Sequence, residues 1–147
     1  INTMKKNLPK IAIIGYGAMG KEIKLQAEQL GYSITNIFDI DSQLEIKEYD
    51  FDVALDFSTA EAILTNLNIL AEIKKNVVIG TTNWEKYFED AKSITKKGGI
   101  GLIYSSNFSI GMQKFFKIIE HTAMLFNKFN DYDFGINYKI FYQKGIF

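Results

Sequence analysis

The sequence predicts an α/β fold on a doubly wound, mostly parallel sheet, and three observations carry that reading. Short apolar runs alternate with amphipathic helical stretches along nearly the whole chain. The first run, residues 11–14, leads at once into Gly15-Tyr-Gly-Ala-Met-Gly20, a G-x-G-x-x-G turn that opens a helix. An acid, Asp39, then closes the second run at the offset of about 20 residues expected of a dinucleotide-binding unit. The only proline is Pro9, so nothing breaks the alternation further along.

Residues 11–14 are apolar throughout, as suits a strand covered on both faces. From Ala18 onward, Met19, Ile23, Ala27 and Leu30 fall on one helical stripe. Residues 33–38 form the second strand, and residues 41–50 read as a polar connection with a little helix. Residues 52–57 form the third strand. Ser58-Thr-Ala-Glu61 has the spacing of a capping box and opens a helix with Ala62, Ile63, Leu67, Leu70 and Ile73 on its apolar side. Residues 76–79 form the fourth strand, followed by the loop Gly80-Thr81-Thr82. Trp84, Phe88, Ala91 and Ile94 line the next helix, which Gly98 or Gly99 ends. Residues 100–104 form the fifth strand, and a helix over about 112–126 buries Phe115, Ile119, Thr122 and Phe126.

The glycine turn carries the chemistry. Gly15 permits a tight turn, Gly17 lets backbone approach a pyrophosphate, and Gly20 lets the helix pack close to the strand. With strand before and helix after, this is a Rossmann-type arrangement, and a phosphate is expected at the helix N-terminus beside Tyr16, Ala18 and Met19. Asp39 is placed to bind the adenosine ribose hydroxyls. No lysine follows it until Lys47, so nothing obvious holds a 2′-phosphate, and NADH is preferred over NADPH. Asp56 and Phe57 fall where a third strand meets the cofactor crevice.

Composition excludes several classes. The 17 basic residues, all lysine, balance 17 acidic ones, so no net field favours nucleic acid or an anionic membrane. There are no cysteines, which excludes disulfides, thiolate catalysis and cysteine metal sites; no metal ligand set is expected. No apolar run is long enough to span a bilayer and no signal-peptide pattern opens the chain, so a cytoplasmic protein with no membrane partner is expected.

The later loops carry a resemblance. G-Y-G-A-M-G at 15–20, D-F-S-T-A at 56–60, G-T-T at 80–82 and S-N-F-S-I-G at 106–111 stand in order at the ends of successive strands. The chain from about Lys10 to Asp133 resembles dihydrodipicolinate reductase, the nicotinamide-dependent enzyme of lysine and diaminopimelate biosynthesis. The resemblance implies that Gly15 to Gly20 cradle the pyrophosphate and Asp39 holds the adenosine ribose. It implies that Phe57, Gly80, Thr82 and Phe108 border the nicotinamide, with the Gly80–Thr82 loop also facing the substrate, and that Ser58, Thr81, Ser106 and Asn107 belong to the cofactor-binding set. A small cyclic dicarboxylate substrate is implied as well.

The family's histidine pair, its lysine and its D-A-P-S-G-T stretch have no counterpart in residues 132–147. The one histidine, His121, reads as an exposed helical residue, and Lys139 and Lys144 lack the flanking motif. No catalytic residue is therefore assigned, and the isolated chain is expected to be inactive. Three segments follow: an extension over 1–9, a dinucleotide-binding domain over 10–130, and over 131–147 the start of a substrate and oligomerisation domain. Within that last segment Tyr132, Phe134, Ile136, Tyr138, Ile140 and Tyr142 alternate with the intervening residues, a strand expected to pair with a second copy in a homo-oligomer. Two other readings stay open. One is another small dehydrogenase of aspartate dehydrogenase type, which the S-N-F-S-I-G loop argues against. The other is a non-enzymatic dinucleotide-binding or redox-sensing module, favoured if the chain is naturally complete at Phe147.

Overall fold

Residues 8–129 are described by a computed structural model of the chain. Its elements run β1 (Ile11–Ile14), α1 (Ala18–Gln29), β2 (Ile34–Phe38), β3 (Val53–Asp56), α2 (Ile63–Glu72), β4 (Asn76–Ile79), α3 (Phe88–Gly98), β5 (Leu102–Tyr104) and α4 (Ile110–Phe126). The five strands form one sheet in the order β2-β1-β3-β4-β5, with every pair parallel. After β2 the chain crosses back over β1 to lay down β3. The direction of winding therefore reverses between β1 and β3, whose carboxyl ends frame the crevice of such a sheet.

The alternation of side chains along β1 separates two cores. Ala12 and Ile14 join Ile63, Leu67 and Leu70 of α2, Ala91 of α3, and Trp84. Ile11 and Ile13 join Ala27, with Ile23 packed alongside on α1. Helices thus cover both faces, which is why residues 11–14 had to be apolar throughout. Trp84, only 2% exposed, anchors the start of α3, with its ring 5.5 Å from that of Tyr104. The helix ends at Gly99, whose φ of +67° is the left-handed cap glycine allows.

Several expectations need correcting. Met19 and Leu30 are 57% and 70% exposed, so the covered face of α1 is Gly20, Ile23 and Ala27. Gly20 lies so close to the preceding turn that no apolar side chain is needed there. Residues 41–50 contain no helix; Leu44 and Phe51 are buried instead, and Tyr49 stacks edge-on against Phe38 at 5.3 Å. The capping box does not form. A 3₁₀ turn at Ala60–Ala62 precedes α2, and its N-cap Thr59 makes no side-chain cap bond, because Ser58 is engaged elsewhere.

The chain divides into two compact units, Ile1–Phe108 and Ser109–Phe147. In the second, Ser109 caps α4 by accepting from the Met112 N–H at 3.4 Å. The half-covered line of α4 is Met112, Phe115, Ile119 and Ala123; Thr122 and Phe126, expected on that line, are exposed. The stripe continues from Ile119 by four residues, not three. The alternating segment 132–142, the second domain expected from residue 131 and the proposed pairing surface lie outside the described residues. Among the described residues no helix is long and apolar enough to cross a membrane, and none of their His, Asp or Glu side chains form a metal-ligating group.

The glycine turn yields a stability prediction. A Cβ on Gly20 would collide with the carbonyl oxygen of Gly15, which is backbone and cannot swing aside, whereas a Cβ on Gly17 would meet nothing within 4 Å. Gly20→Ala should therefore cost about 1–3 kcal/mol despite its better helix propensity. At Gly17→Ala a poorer cap and a less flexible unfolded chain should cancel to within about 0.5 kcal/mol. Urea unfolding of the two variants checks this, and equal losses would contradict it.

Candidate dinucleotide-binding site

The site begins with backbone that cannot be rearranged. Gly15 has φ +86°, and its N–H donates to Phe38 C=O at 2.8 Å while Phe57 N–H donates to Ile14 C=O at 2.8 Å. A Cβ on Gly15 would lie 2.6 Å from the carbonyl oxygen of Phe57. The turn after β1 is therefore clamped between the ends of β2 and β3. Gly17 follows as the N-cap of α1, with no side-chain cap bond and no acidic residue in the first turn. The N–H groups of Ala18, Met19 and Gly20 have no partner within the helix, and the dipole adds partial positive charge. An end of this kind suits an anion.

A cleft of about 470 Å³ opens across these strand ends. Of the residues expected from sequence, Gly15, Tyr16, Gly17, Asp39, Phe57 and Ser58 line it. Asp39 is exposed at the end of β2, and its N–H and C=O are both tied to Ser42 at 3.0 Å. A second hollow of about 620 Å³ takes in Met19, Phe57, Ser58, Gly80, Thr81 and Thr82. Phe57 and Ser58 belong to both. A Cβ on Gly80 would run into the Phe57 ring, so this glycine lets the ring lie over the end of β4. Thr81 is buried and its hydroxyl donates to Asp56 C=O at 3.3 Å. Ser106, Asn107 and Phe108 line neither hollow. There the Ser105 hydroxyl donates to Asn107 C=O at 2.8 Å and accepts from its N–H at 3.1 Å, which shapes the loop locally.

Sequence reasoning missed the far wall of the cleft, which Gln43, Leu44, Thr65, Asn66 and Ile69 supply. Asn66 matters most. Asp56, only 1% exposed, accepts from the Ser58 N–H at 3.0 Å, the Ser58 hydroxyl at 2.6 Å and Asn66 Nδ2 at 2.9 Å. The signal was present: Asn66 sits between Ile63 and Leu70 on the apolar stripe of α2, where a polar residue needs a buried partner. Burial pushes the Asp56 carboxyl above the ordinary aspartate range, against the opposing pull of hydrogen bonds from Ser58 and Asn66.

That direction fixes a pH dependence. The folded chain holds the Asp56 proton at pH values where the unfolded chain has released it, so this group's contribution to stability falls as pH rises through the folded value. Relative to Asp56→Asn, the native chain should lose unfolding free energy as pH rises from the ordinary aspartate value of about 4 through the raised value of the folded chain. Urea midpoints of both proteins across that range measure it, and a native chain that gains on the variant would contradict the assignment.

Comparison with known proteins agrees with this geometry. A family model described as "Dihydrodipicolinate reductase, N-terminus" matches residues 9–108. The 4-hydroxy-tetrahydrodipicolinate reductase of Christiangramia forsetii is 33% identical over 129 residues, 86% of this chain and 53% of that protein. The protein of the same name from Buchnera aphidicola subsp. Schizaphis graminum is 33% identical over 88% of this chain and 56% of its own length. The chain thus spans about half the length of these curated relatives. Among solved structures, a dihydrodipicolinate reductase from Paenisporosarcina sp. TG-14 aligns with a TM-score of 0.61 at 20% identity, covering 79% of this chain and 54% of that one. Aspartate dehydrogenase from Thermotoga maritima aligns at 0.50 with 19% identity over 73% of this chain and 49% of that one. These two structures attest the Rossmann-type fold. The family model and the curated relatives go further: the chain belongs to the dihydrodipicolinate reductase family and corresponds to the N-terminal part of its members.

Proposed function

We propose that the chain is the nucleotide-binding half of a nicotinamide-dependent reductase acting on a cyclic imine dicarboxylate, and that it takes NADH in preference to NADPH. The observation that carries the reading is the space at Gly17. Gly15 and Gly20 are glycines because neighbouring backbone leaves no room for a Cβ, but among the described residues no atom comes within 4 Å of a Cβ placed on Gly17. A ligand approaching that backbone explains the third glycine, and an uncapped helix N-terminus specifies its charge.

In this reading the turn and the first N–H groups of α1 hold the pyrophosphate, and Asp39 accepts from the adenosine ribose hydroxyls. Phe57 and the Gly80–Thr82 loop border the nicotinamide ring, which supplies the hydride. The Phe57 ring lies against Gly80 at the end of β4, beside the buried Thr81. His121, exposed on α4, is not given the role of proton donor. The cofactor choice follows from charge. A 2′-phosphate would sit beside the Asp39 carboxylate, and Lys47 is committed to Glu45 at 3.0 Å, with its ammonium 5.5 Å from the Tyr49 ring centre.

Calorimetric titration of both cofactors at one salt concentration tests the proposal. Like charges about 4 Å apart cost on the order of 1 kcal/mol even in water, so NADH should bind about fivefold or more tightly than NADPH. Asp39→Ala should narrow that gap. Equal affinities in the native chain would remove the preference, and failure to bind either cofactor would remove the reading.

A further inference from the structure

We infer that Ser58 and Asn66 form a pair of hydrogen-bond acceptors that selects the ribose hydroxyls on the nicotinamide side of the dinucleotide and turns phosphate away. The inference rests on the dinucleotide reading above and adds a polarity to one place in the cleft. A serine hydroxyl has one proton and two lone pairs. With the Asp56 carboxyl ionised, the Ser58 proton is committed to Asp56 Oδ1 at 2.6 Å, and one lone pair accepts from Asn66 Nδ2 at 3.3 Å. What remains toward the cleft is a lone pair.

Asn66 is spent in the same sense. One of its amide hydrogens goes to Asp56 Oδ2 at 2.9 Å and the other to Ser58. Its orientation is fixed chemically, because reversing the amide would press its carbonyl oxygen against the carboxylate. Asn66 Oδ1 takes no hydrogen bond from the described residues. Both side chains line the cleft. The wall therefore offers two acceptors over a buried carboxylate. A phosphate oxygen, itself an acceptor and negative, has nothing to pair with there, whereas a hydroxyl can donate.

Position identifies which hydroxyls. In sheet order the carboxyl ends carry Asp39 on β2, Gly15 after β1, Ser58 after β3 and Gly80 after β4. The Ser58 nitrogen lies 2.7 Å from the place a Cβ on Gly15 would take, so Ser58 stands directly beyond the glycine turn. It also borders both hollows. With the first ribose at Asp39 and the pyrophosphate at Gly17, the next group along is the second ribose.

ADP and ADP-ribose differ by that ribose and serve as probes. Titrated into the native chain, ADP-ribose should bind more tightly than ADP. Ser58→Ala should weaken ADP-ribose about tenfold while leaving ADP within about twofold, and Ser58→Thr, which keeps the hydroxyl, should restore most of the loss. Unchanged ADP affinity also reports that the variant is folded. Equal affinity of the native chain for the two probes would overturn the inference whatever the variants do. Equal weakening of both probes in a folded Ser58→Ala, or no weakening of either, would overturn it as well. If the native chain binds neither probe, the dinucleotide reading itself falls.

Discussion

At the end of β1, three pieces of backbone approach one another more closely than a Cβ would allow. The carbonyl oxygen of Phe57 borders Gly15, and the carbonyl oxygen of Gly15 borders Gly20. That approach brings the first turn of α1 down onto the sheet and aims its free N–H groups across the ends of β1 and β3. It also places Ser58 beside the turn and Asp39 on its other flank. The cleft is a consequence of these contacts. Two of the three motif glycines serve them, which leaves Gly17 to be explained by what comes from outside.

The second constraint is a polar group inside an apolar layer. Asp56 ends a strand whose neighbours are Ile14 and Ile79, and it is almost wholly buried. It is tolerated because the Ser58 N–H, the Ser58 hydroxyl and one Asn66 amide hydrogen are given to it. The same hydrogen bonds hold the β3–α2 turn over which a nicotinamide would lie. Stability and recognition draw on one network, and the uphill shift of the carboxyl is the sign that the fold bears part of that cost.

Much of this was legible in the sequence, for physical reasons that differ between elements. β1 and β4 were found to the residue because strands covered on both faces are continuous apolar runs with polar punctuation. The glycine turn and Asp39 were found because a motif with a stated mechanism fixes spacing. Periodicity misled at helix ends: Met19 and Leu30 keep the phase of α1 but lie beyond the reach of the sheet. The capping box failed because a buried carboxylate two residues upstream is a stronger claimant for a serine hydroxyl than a helix end is. Residues 41–50 offered no periodicity, and only burial of Leu44 and Phe51 shows what organises them. Asn66 was missed because a polar residue on an apolar stripe has meaning only once its partner across the fold is known. For Ser106, Asn107 and Phe108 the resemblance, not the two hollows, remains the support.

The account stands on the claim that the space beside Gly17 belongs to a ligand. A Cβ at Gly17 meets no atom of the described residues within 4 Å, so the melting temperature of Gly17→Val and its affinity for NADH, measured side by side, separate the two roles a glycine can have. The account predicts a melting temperature close to the native one together with loss of NADH binding by a factor of about a hundred, the loss of roughly 2.7 kcal/mol. Native-like NADH affinity in the folded variant would contradict it and reduce the motif to a turn between strand and helix.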